Sequence, residues 1–244
     1  MKFVVLTIFP EAFKGILDFS ILKRAAEKGK AEFELVNIRD FAPDKHKMTD
    51  DTPYGGGEGM VMKVEPLHRA LESSAGKEDA KTRRILLSAS GKKLTQEKLK
   101  EYSELDRLVL VCGRYEGFDE RVLEYVDEEI STGDYVLSGG EIPALAVIEG
   151  TVRLLPGVLG NENSTLNESF STGILDFPQY TKPGEYEGKK VPEELLSGNH
   201  KLIKEYRRKE ALKKTLKNRP ELLENIELSG QDKKLLKGIK EGEN

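Results

Sequence analysis

Apolar residues along the chain fall into short blocks that alternate between two spacings. Phe3–Phe9 is a β-branched and aromatic run closed by Pro10, which predicts a strand. Glu11–Lys28 carries Phe13, Ile16, Leu17, Ile21, Leu22 and Ala25 at helical spacing, with a break expected at Asp18 or Ser20 and a stop at Gly29. Phe33–Ile38, Arg84–Ser90 and Arg107–Cys112 read as further strands. The last is nearly all apolar and is therefore expected to be buried on both faces. Helices are expected over Pro66–Leu71, over Thr95–Leu105 with Thr95 as N-cap, and from Asp119 or Glu120 to Val126. Strands alternating with helices predict an α/β fold with a parallel sheet. Such sheets bind ligands beyond the carboxyl ends of their strands. Ser88–Gly91, Gly113–Gly117 and Ser131–Gly140 each follow a strand and can share that edge.

The pattern changes in three places. Asp40–Lys63 is a long polar loop around the glycine-rich Tyr54–Gly59, which reads either as a backbone nest for a ligand or as a hinge. It matches neither the dinucleotide-binding fingerprint nor a P-loop. Ser131–Gly140 is a turn in which Gly139 and Gly140 relax the backbone. It feeds a helix with Pro143 near its start, Leu145, Ile148, Val152 and Leu155 at helical spacing, and Pro156–Gly157 as its end. Polar Asn161–Ser171 then carries no hydrophobic pattern. We expect a main domain over 1–160, a mobile linker over 161–173 and a small all-helical domain over 174–244. That last domain should hold a long helix at about Asn199–Lys217, striped by Leu202, Ile203, Tyr206, Leu212 and Leu216, and further turns from Pro220 and Ser229.

Composition narrows the function classes. No apolar run is long enough to cross a membrane, and the N-terminus lacks the cleavage site of a signal peptide. The single cysteine, Cys112, excludes an internal disulfide and agrees with a cytoplasmic location. The formal net charge is −4, yet between Asn199 and Arg219 nine Lys or Arg stand against two Glu. Phosphate contact depends on local potential, so this helix is a nucleic-acid candidate despite the acidic total. His46, His68 and His200 lie near no Cys or acidic pair at metal spacing, so no metal site is expected. No G-x-S-x-G or S-x-x-K motif occurs. What remains is a set of carboxylates in glycine-rich surroundings (Glu116, Asp134, Glu141, Glu168, Asp176) and Arg153 at the end of an apolar helix. Taken singly, each reads equally as a cap or a surface charge.

Five ordered segments change that balance. GDYVLSGGEIPA with RLLPGVLG, PYGGGEGMVMK, LVCGRYEGFDERV, ESFSTGILDFPQYTKP and VPEELLSGNH span most of the chain. Together they closely resemble the bacterial tRNA (guanine-N1)-methyltransferases, which modify the guanosine at position 37, next to the anticodon. The resemblance implies a trefoil-knotted methyltransferase domain and a homodimer with active sites at the subunit interface. It implies S-adenosylmethionine held by Leu87, Ser88, Ala89 and Gly113. The same ligand is expected to meet Thr132, Gly133, Asp134, Tyr135, Val136, Leu137, Gly139, Gly140 and Pro143. Substrate tRNA would meet Gly57, Gly59, Tyr115, Glu116 and Asp176, and the basic helix through Lys213, Lys214 and Lys217. Mg²⁺ is compatible with this chemistry, and nothing in the sequence marks a site for it.

Two positions depart from the family. Its usual Pro-Gln is Ala89-Ser90 here, and its aspartate base is Glu168, one methylene longer. Guanine N1 must lose a proton, for which Glu168 is the expected acceptor, while Arg153 would stabilise charge developing toward O6. Methylation of another RNA by the same fold, or a non-catalytic RNA-binding role, are the alternative readings.

Overall fold

A computed structural model describes residues 1–74, 80–160 and 168–242. The chain divides into two compact units, Met1–Glu162 and Asn163–Asn244.

The first unit is built on five parallel strands. In chain order its elements are β1 (Lys2–Thr7), α1 (Glu11–Leu17), α2 (Ser20–Glu27), β2 (Glu32–Asn37), β3 (Asp50–Asp51), β4 (Val61–Met62) and α3 (Val64–Ser74). Then come β5 (Thr82–Lys93), α4 (Gln96–Ser103), β6 (Arg107–Cys112), β7 (Glu128–Ser131) and α5 (Glu141–Val152). The sheet order is β2-β1-β6-β5-β7. Period-two alternation explains how the central strands are buried on both sides. Phe3, Val5, Leu108, Leu110 and Cys112 face the core under α1, α2 and α5. Val4, Leu6, Val109 and Val111 face the core with Leu67 and Leu71 of α3. The expected break between the first two helices falls where α1 ends and α2 begins.

Three expectations need correction. The strand predicted to end at Ser90 runs on to Lys93: Ile130 of β7 pairs first with Leu87 and again with Lys92, so Ser88–Gly91 bulges out and returns. A Cβ on Gly91 would stand 2.5 Å from the Ile130 backbone, so only glycine permits this crossing. The helix expected from Asp119 or Glu120 is a 3-10 helix, Glu120–Tyr125, begun by the Asp119 carboxylate accepting from Arg121 N at 3.0 Å. Six residues lie between Asp119 and Val126, and β7 starts at Glu128. The loop Asp40–Lys63 has structure of its own, since β3 and β4 pair antiparallel beneath its glycine-rich tip.

The second unit is mainly helical: α6 (Glu193–Leu196), α7 (His200–Asn218) and α8 (Gly230–Glu241). It also carries the hairpin β8 (Glu185–Tyr186) and β9 (Lys189–Lys190), so it is not all-helical. Ile174, Ala211, Leu212 and Leu236 form its core. Of the predicted stripe on α7, Leu212 is buried while Leu202 is exposed. Asn199 caps α7, accepting from Lys201 N at 3.1 Å, and Ser229 with Asp232 forms a capping box at α8. Residues 161–167 of the expected linker lie outside the described residues. Residues 168–173 form tight turns, with Ser171 N donating to Glu168 O at 3.1 Å and Phe170 N to Ile174 O at 2.8 Å.

Candidate active site

The carboxyl edge of the sheet opens into a cavity of about 390 Å³. Its walls are the bulge after Leu87, the turn Gly113–Phe118 after β6, and the segment from Ser131 to the start of α5. The strand order makes this convergence, because β5 lies between β6 and β7 and all three run the same way. Leu87, Ser88, Ala89, Gly113, Tyr115, Glu116, Thr132, Tyr135, Val136, Leu137, Gly139, Gly140 and Pro143 all line it. The sequence had spread these residues over 57 positions, from 87 to 143.

Local chemistry shapes each wall. Tyr115 has φ +59° and Gly117 φ +116°, a tight reversal that turns the chain back at the end of β6. Glu116 N donates to Met60 O at 3.0 Å and Met62 N to Gly117 O at 2.9 Å, so β4 docks on this turn. Gly59 belongs to that dock: a Cβ there would stand 2.5 Å from Glu116 Cγ. Gly57 approaches nothing closer than Pro53 and does not line the cavity. On the opposite wall Gly140 N donates to Gly113 O at 2.9 Å. A Cβ on Gly140 would lie 2.7 Å from Cys112 Cα, so helix α5 can begin against β6 only with glycine there. Gly133 and Asp134 sit outside the lining. The Asp134 carboxylate pairs with exposed Lys93 at 2.6 Å, and Gly133 O accepts from Ser131 Oγ at 3.0 Å.

Beneath the cavity lies a buried polar cluster centred on Glu141 and Arg114. Glu141 is 5% exposed; its carboxylate accepts from Thr7 Oγ1 at 2.8 Å and stands 3.3 Å from Arg114 Nε. The Arg114 guanidinium also stacks over the Phe9 ring at 4.7 Å. Burial pushes the neighbouring Cys112 thiol well above its ordinary pKa, Glu141 adds to this, and Arg114 opposes it. The thiol is therefore inert packing, as a free cysteine in a core usually is. Sequence reasoning had noted Glu141 as one carboxylate among several and missed Arg114. The one available signal was an arginine placed two residues after a nearly all-apolar strand. Where the family has Pro-Gln, Ser90 Oγ donates to the Glu129 carboxylate at 2.9 Å, and Ser88 Oγ donates to the same oxygen.

Other predicted residues lie elsewhere. Arg153 is the C-cap of α5, about 20 Å along the helix from Gly140 at 1.5 Å per residue. It does not line the cavity. Glu168 and Asp176 belong to the second unit, where they line one groove with residues of α7. Asp176 N donates to Ser169 Oγ at 3.0 Å. Lys213, Lys214 and Lys217 occupy the C-terminal half of α7; Lys213 stands 3.9 Å from Glu210, and Lys214 is half-buried. Among the described residues no group of three or more His, Cys, Asp or Glu is placed to hold a metal ion. No helix among them is long and apolar enough to cross a membrane.

The chain is 54% identical over 240 residues to a tRNA (guanine-N(1)-)-methyltransferase of Dictyoglomus turgidum, covering 98% of this chain and 97% of that protein. It is 51% identical over 244 residues to the protein of that name in Anoxybacillus flavithermus, with both chains fully covered. The like-named protein of Bacillus cereus is 50% identical over 243 residues, covering 99% and 100%. The model of the family described as tRNA (Guanine-1)-methyltransferase TrmD matches residues 1–225, and the chain belongs to that family.

Proposed function

We propose that this chain transfers a methyl group from S-adenosylmethionine to N1 of the guanosine at position 37 of tRNA, 3′ of the anticodon. The observation that carries this reading is the meeting, in one cavity at the sheet's carboxyl edge, of three loops within the stretch that the family's model matches.

The cavity suits the donor. Its volume lies in the range of small-molecule sites. It combines apolar Leu87, Val136, Leu137 and Pro143 with the carboxylates of Glu116 and Glu120, which complement a molecule bearing an ammonium and a sulfonium. Leu87–Ala89, Gly113, Thr132, Tyr135–Leu137, Gly139, Gly140 and Pro143 would hold it. When bound, S-adenosylmethionine supplies an already activated methyl group. What the protein adds is orientation and a proton acceptor. The Glu168 carboxylate takes the N1 proton, leaving N1 with the electron pair for the new N–C bond, and Arg153 stabilises the charge that develops on O6.

Within a single chain Arg153 lies about 15 Å along α5 from Pro143 of the cavity's lining, which supports a homodimer whose active site draws on both copies. Membership of the family supports the trefoil knot. The basic α7 supports tRNA as substrate, with Lys213, Lys214 and Lys217 adding long-range attraction, and the whole reading places the enzyme in the cytoplasm.

Incubation with bulk tRNA and methyl-labelled S-adenosylmethionine, followed by mapping of the labelled nucleoside, tests this. We expect 1-methylguanosine at position 37. Label at another nucleoside or in another RNA would favour the alternative substrate, and no label would leave only a binding role.

A further inference from the structure

Among the described residues that line the cavity, Arg114 is the one cation, set against the carboxylates of Glu116 and Glu120. Its charge is met from behind the wall. Glu141, the first residue of α5, is buried and brings its carboxylate to 3.3 Å from Arg114 Nε. Arg114 Nε is itself buried and makes no hydrogen bond, so charge rather than a directed bond joins the two. The other carboxylate oxygen accepts from Thr7 Oγ1 at 2.8 Å, and that hydroxyl accepts from Phe9 N at 2.9 Å. Glu141 is thereby fixed to the end of β1. Gly139, which lines the cavity, lies over the pair: a Cβ there would stand 2.4 Å from both Arg114 Nε and Glu141 Oε2. At that point only bare backbone separates the pair from the cavity.

A buried ion pair is seldom the most stable way to join two elements, since apolar groups of similar volume often do as well. The walls are in any case joined by the bond from Gly140 N to Gly113 O at 2.9 Å. The charge of Glu141 therefore calls for another reason. An uncancelled guanidinium in the wall would make the cavity's potential more positive, and the low dielectric of the interior would transmit that field to any ligand. S-adenosylmethionine carries a fixed sulfonium charge. Once its methyl group has left, the sulfur is a neutral thioether, so S-adenosylhomocysteine differs from the donor by one methyl and one positive charge.

We propose that Glu141 is a specificity-determining residue. By cancelling Arg114 from behind the wall it leaves the cavity under the field of Glu116 and Glu120, and so favours the cationic donor over its neutral product. Glu141 acts through Arg114 and does not touch the ligand. This rests on the reading above that S-adenosylmethionine is the methyl donor.

Calorimetric titration of the full chain at pH 8 with each of the two molecules, in the absence of RNA, tests the proposal. Glu141→Gln keeps the size of the side chain and an acceptor for Thr7 but loses the charge. It should weaken S-adenosylmethionine binding roughly tenfold, the effect of one charge across about 10 Å at an effective dielectric of about 20. S-adenosylhomocysteine binding should change less than about twofold. Arg114→Gln/Glu141→Gln should bring the ratio of the two affinities back to within about twofold of the parent. Arg114→Gln alone leaves the carboxylate unopposed and should move the ratio the other way, which keeps the proposal falsifiable if the Glu141→Gln protein fails the thermal melt. Equal weakening of both ligands by Glu141→Gln, the result of a purely structural role, overturns the proposal. So does a double variant with the ratio of Glu141→Gln, or an unchanged or lowered ratio in Arg114→Gln. A parent chain that binds neither molecule removes the donor reading and this inference with it. A parent that binds both, with variants that keep its ratio, removes this inference alone.

Discussion

The cavity of the α/β unit and the groove of the helical unit are built on opposite plans. The cavity is made of turns and small residues, and several charges around it are already paired: Arg114 with Glu141, Lys93 with Asp134, and Glu129 with the Ser88 and Ser90 hydroxyls, while Glu116 and Glu120 line the opening. The groove is made of long side chains on a helix, and among the described residues Lys201 and Lys204 on its rim have no ion-pair partner. The first site is defined by where a Cβ cannot go, the second by where charge is left uncompensated. Substitutions that add volume should therefore damage the cavity, and salt should weaken the groove.

The largest expected effect falls on Glu168, the proton acceptor of the proposed reaction. Glu168→Gln keeps size and polarity but accepts no proton, so methyl transfer should drop about 10²-fold or more in single-turnover kinetics. Binding of both substrates should persist, and Glu168→Asp should retain substantial activity. Near-normal transfer by the Gln variant would move the role of base to Asp176 or Glu116.

Gly140→Val probes the volume side of the contrast. The added Cβ meets Cys112 Cα at 2.7 Å and Gly113 N at 3.0 Å, so backbone rather than ligand is displaced. We expect a loss of about 1–3 kcal/mol in stability, the usual scale of overpacking, together with weaker S-adenosylmethionine binding by calorimetry. A variant that melts and binds like the parent would show that the cavity wall is softer than its contacts imply.

Acid sharpens the contrast from the helical side. The hydrogen bonds from Arg208, aided by Ser229 and opposed by burial, hold the Asp232 carboxyl down to about 2. A depressed carboxyl stabilises the fold above its unfolded pKa of about 4, and that contribution is lost as pH falls through the folded value. The α7–α8 packing should thus lose on the order of 2 kcal/mol between about pH 4 and pH 2. Asp232→Asn should melt earlier at neutral pH and lose this acid dependence.

The smallest effect belongs to the C-terminal lysines. Neutralising Lys213, Lys214 and Lys217 together should weaken RNA binding about threefold, lower the salt slope by less than about one, and leave S-adenosylmethionine binding unchanged. A slope change of about two, the loss of three phosphate contacts, would instead make these lysines direct RNA contacts.

How much of this was readable in the sequence follows the range of the forces involved. β6 and α5 were legible because their burial is written in local periodicity, and the break between α1 and α2 because Asp18 and Ser20 interrupt it. The wall residues of the cavity were legible only through motif resemblance, since no local pattern places Leu87 beside Gly113 and Pro143. The extension of β5 to Lys93 was hidden, because its polar residues SGKK read as a loop and their pairing depends on Ile130, some 40 residues later. Glu141 was equally opaque: a carboxylate in a helix's first turn looks like a cap, and only the approach of Thr7 and Arg114 buries it. Asn199 was legible as a helix start and Ser229 only as the start of a turn, where the structure has the twelve-residue α8. The groove joins residues 168–177 to 200–208 and 229–232, a convergence that no spacing encodes.

The lone thiol of Cys112 offers a clock for the cavity's own breathing. It is fully buried at the end of β6, directly behind the backbone of Gly140, and it is kept in its unreactive protonated form. A maleimide or disulfide reagent can reach it only when α5 lifts from the strand, so its labelling rate counts those openings. A ligand that clamps Gly113 to Gly140 should slow the clock in proportion to its occupancy, and a chaotrope should quicken it before the sheet melts. One atom of sulfur, with no part in the chemistry, thus reports on how often the floor of the site gives way.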